Sequence, residues 1–190
     1  MEPVLISALV VALAEIGDKT QLLAILLATR FRRPIPIIAG ILAATIANHL
    51  VAATAGYLVS GLLQGAWFRI FVGVSFLVMA GWTLVPDKMD DAPKSDSHWG
   101  AFVTTLVSFF LVEIGDKTQI ATVALAARYH SVFRVALGTT IGMMAADIPA
   151  VFLGEAATRI VPVRYVRWGA AAIFALLGLW VLAETLGWMK

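Results

Sequence analysis

Apolar positions in this chain run on in long blocks, and polar residues gather at a few short breaks between them. A helix crossing a bilayer needs about 20 apolar residues at roughly 1.5 Å each. Six blocks meet that length: 3–28, 35–60, 66–85, 99–127, 132–156 and 165–188. The breaks are Arg30-Phe31-Arg32-Arg33-Pro34, Gly61 to Gly65, Pro86 to His98, Arg128 to Ser131, and Arg159 to Arg164, which contains Pro162. Only 86–98, rich in Asp, Lys and Ser, is polar enough for a solvated linker. The pattern predicts an all-α membrane protein with six transmembrane helices and little chain left for a soluble domain.

An offset of 98 residues aligns the two halves without a gap. Between 13 and 30, eleven of eighteen residues equal their partners at 111–128. Farther along, Gly40 matches Gly138, Gly56 matches Gly154, Arg69 matches Arg167 and Trp82 matches Trp180. The chain therefore reads as a three-helix unit written twice: residues 1–85, an acidic linker at 86–98, and residues 99–190. Three is odd, so the second copy enters the membrane from the opposite face. Two inverted-topology three-helix repeats are the expectation, an arrangement common among secondary transporters.

Composition agrees. Apolar residues make up 61% and charged ones 14%, against roughly 45–50% and about 25% in soluble domains, and the mean hydropathy is +0.90. The opening Met1-Glu2-Pro3 lacks a basic leader, so the first block reads as a retained span. There are no cysteines, which excludes disulfides, thiolate metal sites and Fe–S clusters. A net charge of +2 reflects Arg and Lys at span ends rather than a nucleic-acid surface. Outside the duplicated motif, one side receives Arg30, Arg32, Arg33, Lys88, Lys94, Arg159, Arg164 and Arg167; the other receives Arg69, Arg128, Arg134 and Lys190. The positive-inside rule then places both termini outside and the linker in the cytoplasm.

The charges that break this pattern carry the chemistry. Glu-Ile-Gly-Asp-Lys-Thr-Gln occurs at Glu15–Gln21 and again at Glu113–Gln119, mid-way through the first and fourth blocks. Each such charge costs about 3 kcal/mol or more to insert. On a continuous helix, residues three apart share a face, so Glu15 is expected beside Asp18 and Glu113 beside Asp116. Inversion brings the two faces together near the midplane. Gln21, Gln119, Thr20 and Thr118 add neutral oxygens, and Gly17 and Gly115 loosen the backbone between each acid pair. An all-oxygen site suits Ca²⁺, Mn²⁺ or Mg²⁺, whereas Zn²⁺ and copper favour imidazole and thiolate. Four acids with two lysines leave a formal charge of −2, which suits a divalent ion. Lys19 and Lys117, four residues after their glutamates, are expected to pair with them along the helix.

Around this centre, His49 and Asp147 are repeat partners in the second helix of each unit, with Asn48 beside one and Pro149 after the other. They read equally as outer ligands, a proton path or interhelical hydrogen bonds. Glu155 and Glu184 sit near span ends and read as interfacial. Trp67, Trp82, Trp99, Trp168, Trp180 and Trp188 read as headgroup-level anchors or packing residues. Polar residues also glue membrane helices by hydrogen bonding alone; six ionisable residues placed symmetrically at mid-depth favour function.

The motif Glu-x-Gly-Asp-Lys/Arg-Thr/Ser, present twice in a six-span chain, resembles the signature of uncharacterised protein family 0016. That family includes bacterial manganese exporters, chloroplast manganese transporters and Golgi manganese/calcium transporters. Both copies match fully, at Glu15, Gly17, Asp18, Lys19 and Thr20 and at Glu113, Gly115, Asp116, Lys117 and Thr118. The resemblance implies that the acids are cation ligands and that the activity is export of Mn²⁺, or of Ca²⁺, in exchange for protons. It implies no resident cofactor. The lack of an added N-terminal targeting region points to a bacterial plasma-membrane member. Two rival readings remain: an intramembrane enzyme using paired carboxylates as acid and base, and a cation channel.

Overall fold

The computed structural model describes residues 1–62, 65–85, 100–153 and 163–187. The linker at 86–98, Trp99, Gly154, Glu155, the break around Pro162, Trp188 and Lys190 lie outside the described residues. Within them the chain is all helical: α1 (Glu2–Glu15), α2 (Lys19–Phe31), α3 (Pro34–Leu62), α4 (Ala66–Thr83), α5 (Gly100–Glu113), α6 (Lys117–Tyr129), α7 (Val132–Leu153) and α8 (Val163–Thr185).

Four of these, α3, α4, α7 and α8, contain stretches long and apolar enough to cross a membrane unaided. The expected single spans 3–28 and 99–127 are each two helices instead, 14 and then 13 residues long. At 1.5 Å per residue neither half covers a hydrocarbon core of about 30 Å. The cause is local. Gly17 and Gly115 both take φ of 79°, a left-handed conformation that a helix cannot contain and that glycine adopts without penalty. The following aspartates are extended, with ψ of 168° and 166°, and restart the helix.

Polarity is inverted relative to a soluble protein. Leu5, Val51, Phe71, Phe133 and Leu176 are exposed, whereas Glu15, Asp18, His49, Glu113, Asp116 and Asp147 are buried. An apolar exterior around ionisable residues matches hydrocarbon as the solvent. Proline starts α3, where its missing N–H costs nothing. Arg32 and His130, repeat partners, end α2 and α6 in left-handed conformations.

Helices of one half pack mainly on those of the other. The long α3 lies against α5 and α6, α7 lies against α1 and α2, α3 touches α7, and α4 pairs with α8. Many contacts are reciprocal. A Cβ on Gly40 would meet the Phe102 carbonyl and Thr105 Cβ, each at 2.8 Å; one on Gly138 would meet their repeat partners, the Val4 carbonyl and Ser7 Cβ. Equivalent residues also touch each other: Thr45 Oγ1 lies 3.1 Å from Met143 Sδ, and the rings of Phe76 and Phe174 stack at 6.3 Å. Two apolar cores result, one around Phe76, Met79, Leu125 and Phe174, the other around Leu23, Ile37, Ile41 and Phe109.

These close approaches fix which glycines are replaceable. Gly138→Ala drives a methyl into backbone of α1 and is expected to cost about 1–3 kcal/mol, read as a lower Tm in detergent. Gly81→Ala, with nothing within 4 Å of its Cβ position, is expected to leave Tm unchanged or raise it. Equal behaviour of the two variants would contradict the packing.

Candidate cation site

The two breaks meet in the interior. Glu15 is the last residue of α1 and Asp18 the N-cap of α2; Glu113 and Asp116 hold the same places at α5 and α6. The acids of one motif thus flank a turn, closed by Asp18 N–H donating to the Glu15 carbonyl at 2.9 Å and Asp116 N–H to that of Glu113 at 3.0 Å. They do not share the face of one continuous helix. All four carboxylates are buried, and Glu15 lies within electrostatic reach of Asp18, Glu113, Asp116 and Asp147.

The lysines depart from expectation. Lys19 Nζ lies 3.0 Å from Asp116 Oδ1, and Lys117 Nζ lies 3.1 Å from Asp18 Oδ1. Each lysine is the first residue after the break, so helical spacing to the glutamate is lost and the ammonium reaches across to the other copy. The environments differ: the Lys19 side chain is 29% exposed and that of Lys117 only 4%.

Gln21 and Gln119 are also placed by the break. Their amide oxygens accept from the Gly17 and Gly115 N–H groups at 2.8 and 2.7 Å. Aspartate at the N-cap and glutamine three residues on have the spacing of a capping box, but here each glutamine holds the N–H of the break glycine, and only Asp116 accepts from its helix, from Thr118 N–H at 3.5 Å. Gln21 Nε2 also donates to the Ala146 carbonyl at 3.4 Å. The Asp-x-x-Gln spacing carried this signal in the sequence. Thr118 Oγ1 donates to Glu113 Oε1 at 2.6 Å and lies 3.2 Å from Asp116 Oδ2. Thr20 Oγ1 reaches Asp18 Oδ2 at 3.4 Å.

From α3, His49 is fully buried, with Nε2 3.5 Å from Glu113 Oε1. Asn48 donates instead to the Phe110 carbonyl at 3.2 Å, so it ties α3 to α5. From α7, Asp147 is fully buried near Glu113 and Glu15. Pro149 stays inside α7 without ending it. Among the described residues, no three His, Asp or Glu side chains are grouped closely enough to hold one metal ion in this conformation. The expected four-acid cage is therefore not assembled here: Asp18 and Asp116 each face a lysine of the other half.

Known proteins supply the wider context. A family described as "Divalent cation/proton antiporter GDT1" matches residues 3–91 and 101–188. The chain belongs to that family. Among its relatives is a Vibrio cholerae protein named "Putative manganese exporter", 48% identical over 180 residues that cover 94% of this chain and 90% of the relative. A GDT1-like protein of Synechocystis is 30% identical, over 77% of this chain and 80% of that one. A GDT1-like protein of Arabidopsis thaliana is 26% identical over 87% and 89%. No solved structure matches. The chain is thus an integral membrane transporter of divalent cations and not an enzyme, which removes the acid–base catalyst from the rival readings.

The crossed pairs give the site its own stability test. Lys117→Ala removes a buried counter-charge from Asp18, a loss of about 3–5 kcal/mol. Lys19→Ala is expected to cost less, because its end of the cluster is more open. Thermal unfolding in detergent should rank the two variants in that order, and the double variant Lys117→Asp with Asp18→Lys should recover part of the loss.

Proposed function

We propose that this chain exports Mn²⁺, and to a lesser degree Ca²⁺, from the cytoplasm of a bacterium across its plasma membrane in exchange for protons. The observation that carries the reading is the meeting of two identical broken-helix motifs in the protein interior, bridged by Lys19–Asp116 and Lys117–Asp18. Broken spans with carboxylates at the break are how transporters bring charge and exposed backbone to mid-membrane depth. The manganese assignment is supported by the 48% identical relative and by oxygen-only donors in the motif.

The architecture that serves this function is six spans in two inverted units, 1–85 and 99–190. Two of the spans are the composite pairs α1–α2 and α5–α6. Reciprocal contacts between Gly40 and Gly138 and their partners, and self-contacts at Thr45–Met143 and Phe76–Phe174, support a pseudo-two-fold relation. Such pairs are what isologous surfaces make. Both termini lie outside and the 86–98 linker inside, by the Arg and Lys distribution.

In the cycle, a divalent cation arriving from the cytoplasm is held by the oxygens of Glu15, Asp18, Glu113 and Asp116. Gln21 and Gln119, with Thr20 and Thr118, hold the break in shape. The cation displaces the lysine ammonium groups from the aspartates. When the cation leaves on the outer side, carboxylates in a low-dielectric interior cannot stay unpaired. Lys19 and Lys117 reclaim the aspartates, and protons neutralise the glutamates. Rocking of one unit against the other switches access. A channel needs neither the internal counter-cations nor the proton exchange.

Glu15→Gln and Asp116→Asn are expected to abolish Mn²⁺ flux in proteoliposomes while the purified protein keeps its monodisperse elution and helical content. Flux at the wild-type rate in either variant would refute the reading, and flux that ignores an imposed pH gradient would favour a channel.

A further inference from the structure

One acid outside the duplicated motif is buried as deeply as the motif itself. Asp147, on α7, has no accessible surface, and neither of its carboxylate oxygens has a hydrogen-bond partner. The same holds for both oxygens of Glu15 and for Oε2 of Glu113. Glu15 stands in the field of Asp147, and Asp147 in that of Glu113. Three acids from α1, α5 and α7 thus bring five buried oxygens that no protein donor satisfies. Asp18 and Asp116 differ, since Lys117 and Lys19 face them.

The repeat supplies an independent check on where this position points. His49 is the partner of Asp147 under the 98-residue offset. It is fully buried, neither ring nitrogen has a hydrogen-bond partner, and Nε2 lies 3.5 Å from a motif carboxylate, Glu113 Oε1. The position is therefore aimed into the cluster from both long helices. Only the chemistry differs, carboxylate on α7 and imidazole on α3.

Burying a carboxylate with no donor costs several kcal/mol, and a second-helix glutamine or leucine would avoid that cost. Resting on the function proposed above, we propose that Asp147 is a direct ligand of the transported divalent cation, binding it together with Glu15 and Glu113. Its two oxygens are hard donors of the kind that Mn²⁺ and Ca²⁺ accept. Among the described residues the three acids do not form a group that could hold one ion in the present conformation, so ligation requires α7 to shift relative to the ends of α1 and α5. Asp18 and Asp116 join as their lysines withdraw.

The absence of cysteine from the chain allows a test by ligand softness. Wild type, Asp147→Asn, Asp147→Cys and Glu15→Gln are reconstituted in proteoliposomes, and initial rates are measured with Mn²⁺ and with Cd²⁺. Asp147→Asn should lower the Mn²⁺ rate about tenfold or more. Asp147→Cys should shift the Cd²⁺/Mn²⁺ rate ratio about tenfold toward Cd²⁺, because a thiolate favours the softer ion. A packing role would lower both rates together and leave the ratio at its wild-type value, which overturns the assignment. So does a wild-type Mn²⁺ rate in Asp147→Asn. If the cysteine variant does not accumulate, Asp147→Glu takes its place: a carboxylate moved by one methylene should change the Mn²⁺/Ca²⁺ ratio about threefold or more, and an unchanged ratio overturns the proposal. Glu15→Gln keeps the two readings apart. If it transports like wild type, the motif site itself falls; if it is inactive while the Asp147 variants match wild type, only Asp147 is misassigned.

Discussion

A carboxylate enclosed by apolar helices must find its positive charge inside the protein. Asp18 and Asp116 meet that constraint through Lys117 and Lys19, each supplied by the other half of the chain. Each aspartate thus draws a counter-charge from the other half of the chain, which ties the two copies of the motif together. The helix breaks follow from the same need. Gly17 and Gly115, two residues beyond the glutamates, stop α1 and α5 there. The aspartates then cap new helices, and the lysines enter at the first helical position, where they reach across the interface. A buried pair of this kind contributes little net stability, but losing one partner is costly. It therefore fixes how the halves register against each other more than how tightly they hold.

Packing serves that register. The long helices α3 and α7 each lie against the broken segment of the opposite half, and glycines at 40 and 138 let backbones approach closely. Close approach through small residues is how helices associate where lipid removes the hydrophobic drive between them. The site therefore sits between elements that belong to different copies, and relative movement of the halves would alter its geometry directly.

Much of this was legible in the sequence. The blocks of apolar residues located the long helices α3, α4, α7 and α8 to within a few residues, because length and breaks alone define such a span. The 98-residue offset set out the repeat partners, and the structure shows that some of them touch, as Thr45 with Met143 and Phe76 with Phe174. Two features were not recovered, for one reason. Treating 3–28 and 99–127 as unbroken helices led to Glu15 beside Asp18 on one face and to Lys19 beside Glu15. Hydropathy does not register a single glycine, so the break at Gly17 was invisible to it. Asp18 and Gln21 at cap spacing, directly after a glycine, were the available signal. The crossed lysines had no signal of their own, since pairing across copies depends on how the halves dock.

The seven motif residues are identical in both copies, yet they are not equally bonded. Glu113 accepts from Thr118 at 2.6 Å, whereas Glu15 accepts from no donor. Lys117 is enclosed and Lys19 partly open. Nothing within the motif can produce that difference, so it comes from what packs around each copy. The residues that α3 and α7 present there are His49 and Asp147. His49 Nε2 lies 3.5 Å from Glu113 Oε1, whereas Asp147 brings a second unpartnered carboxylate to the cluster. Glu113 thus has one oxygen bonded to a protein donor, whereas neither oxygen of Glu15 has one. Two copies of one motif therefore sit in two different environments within an otherwise repeated frame.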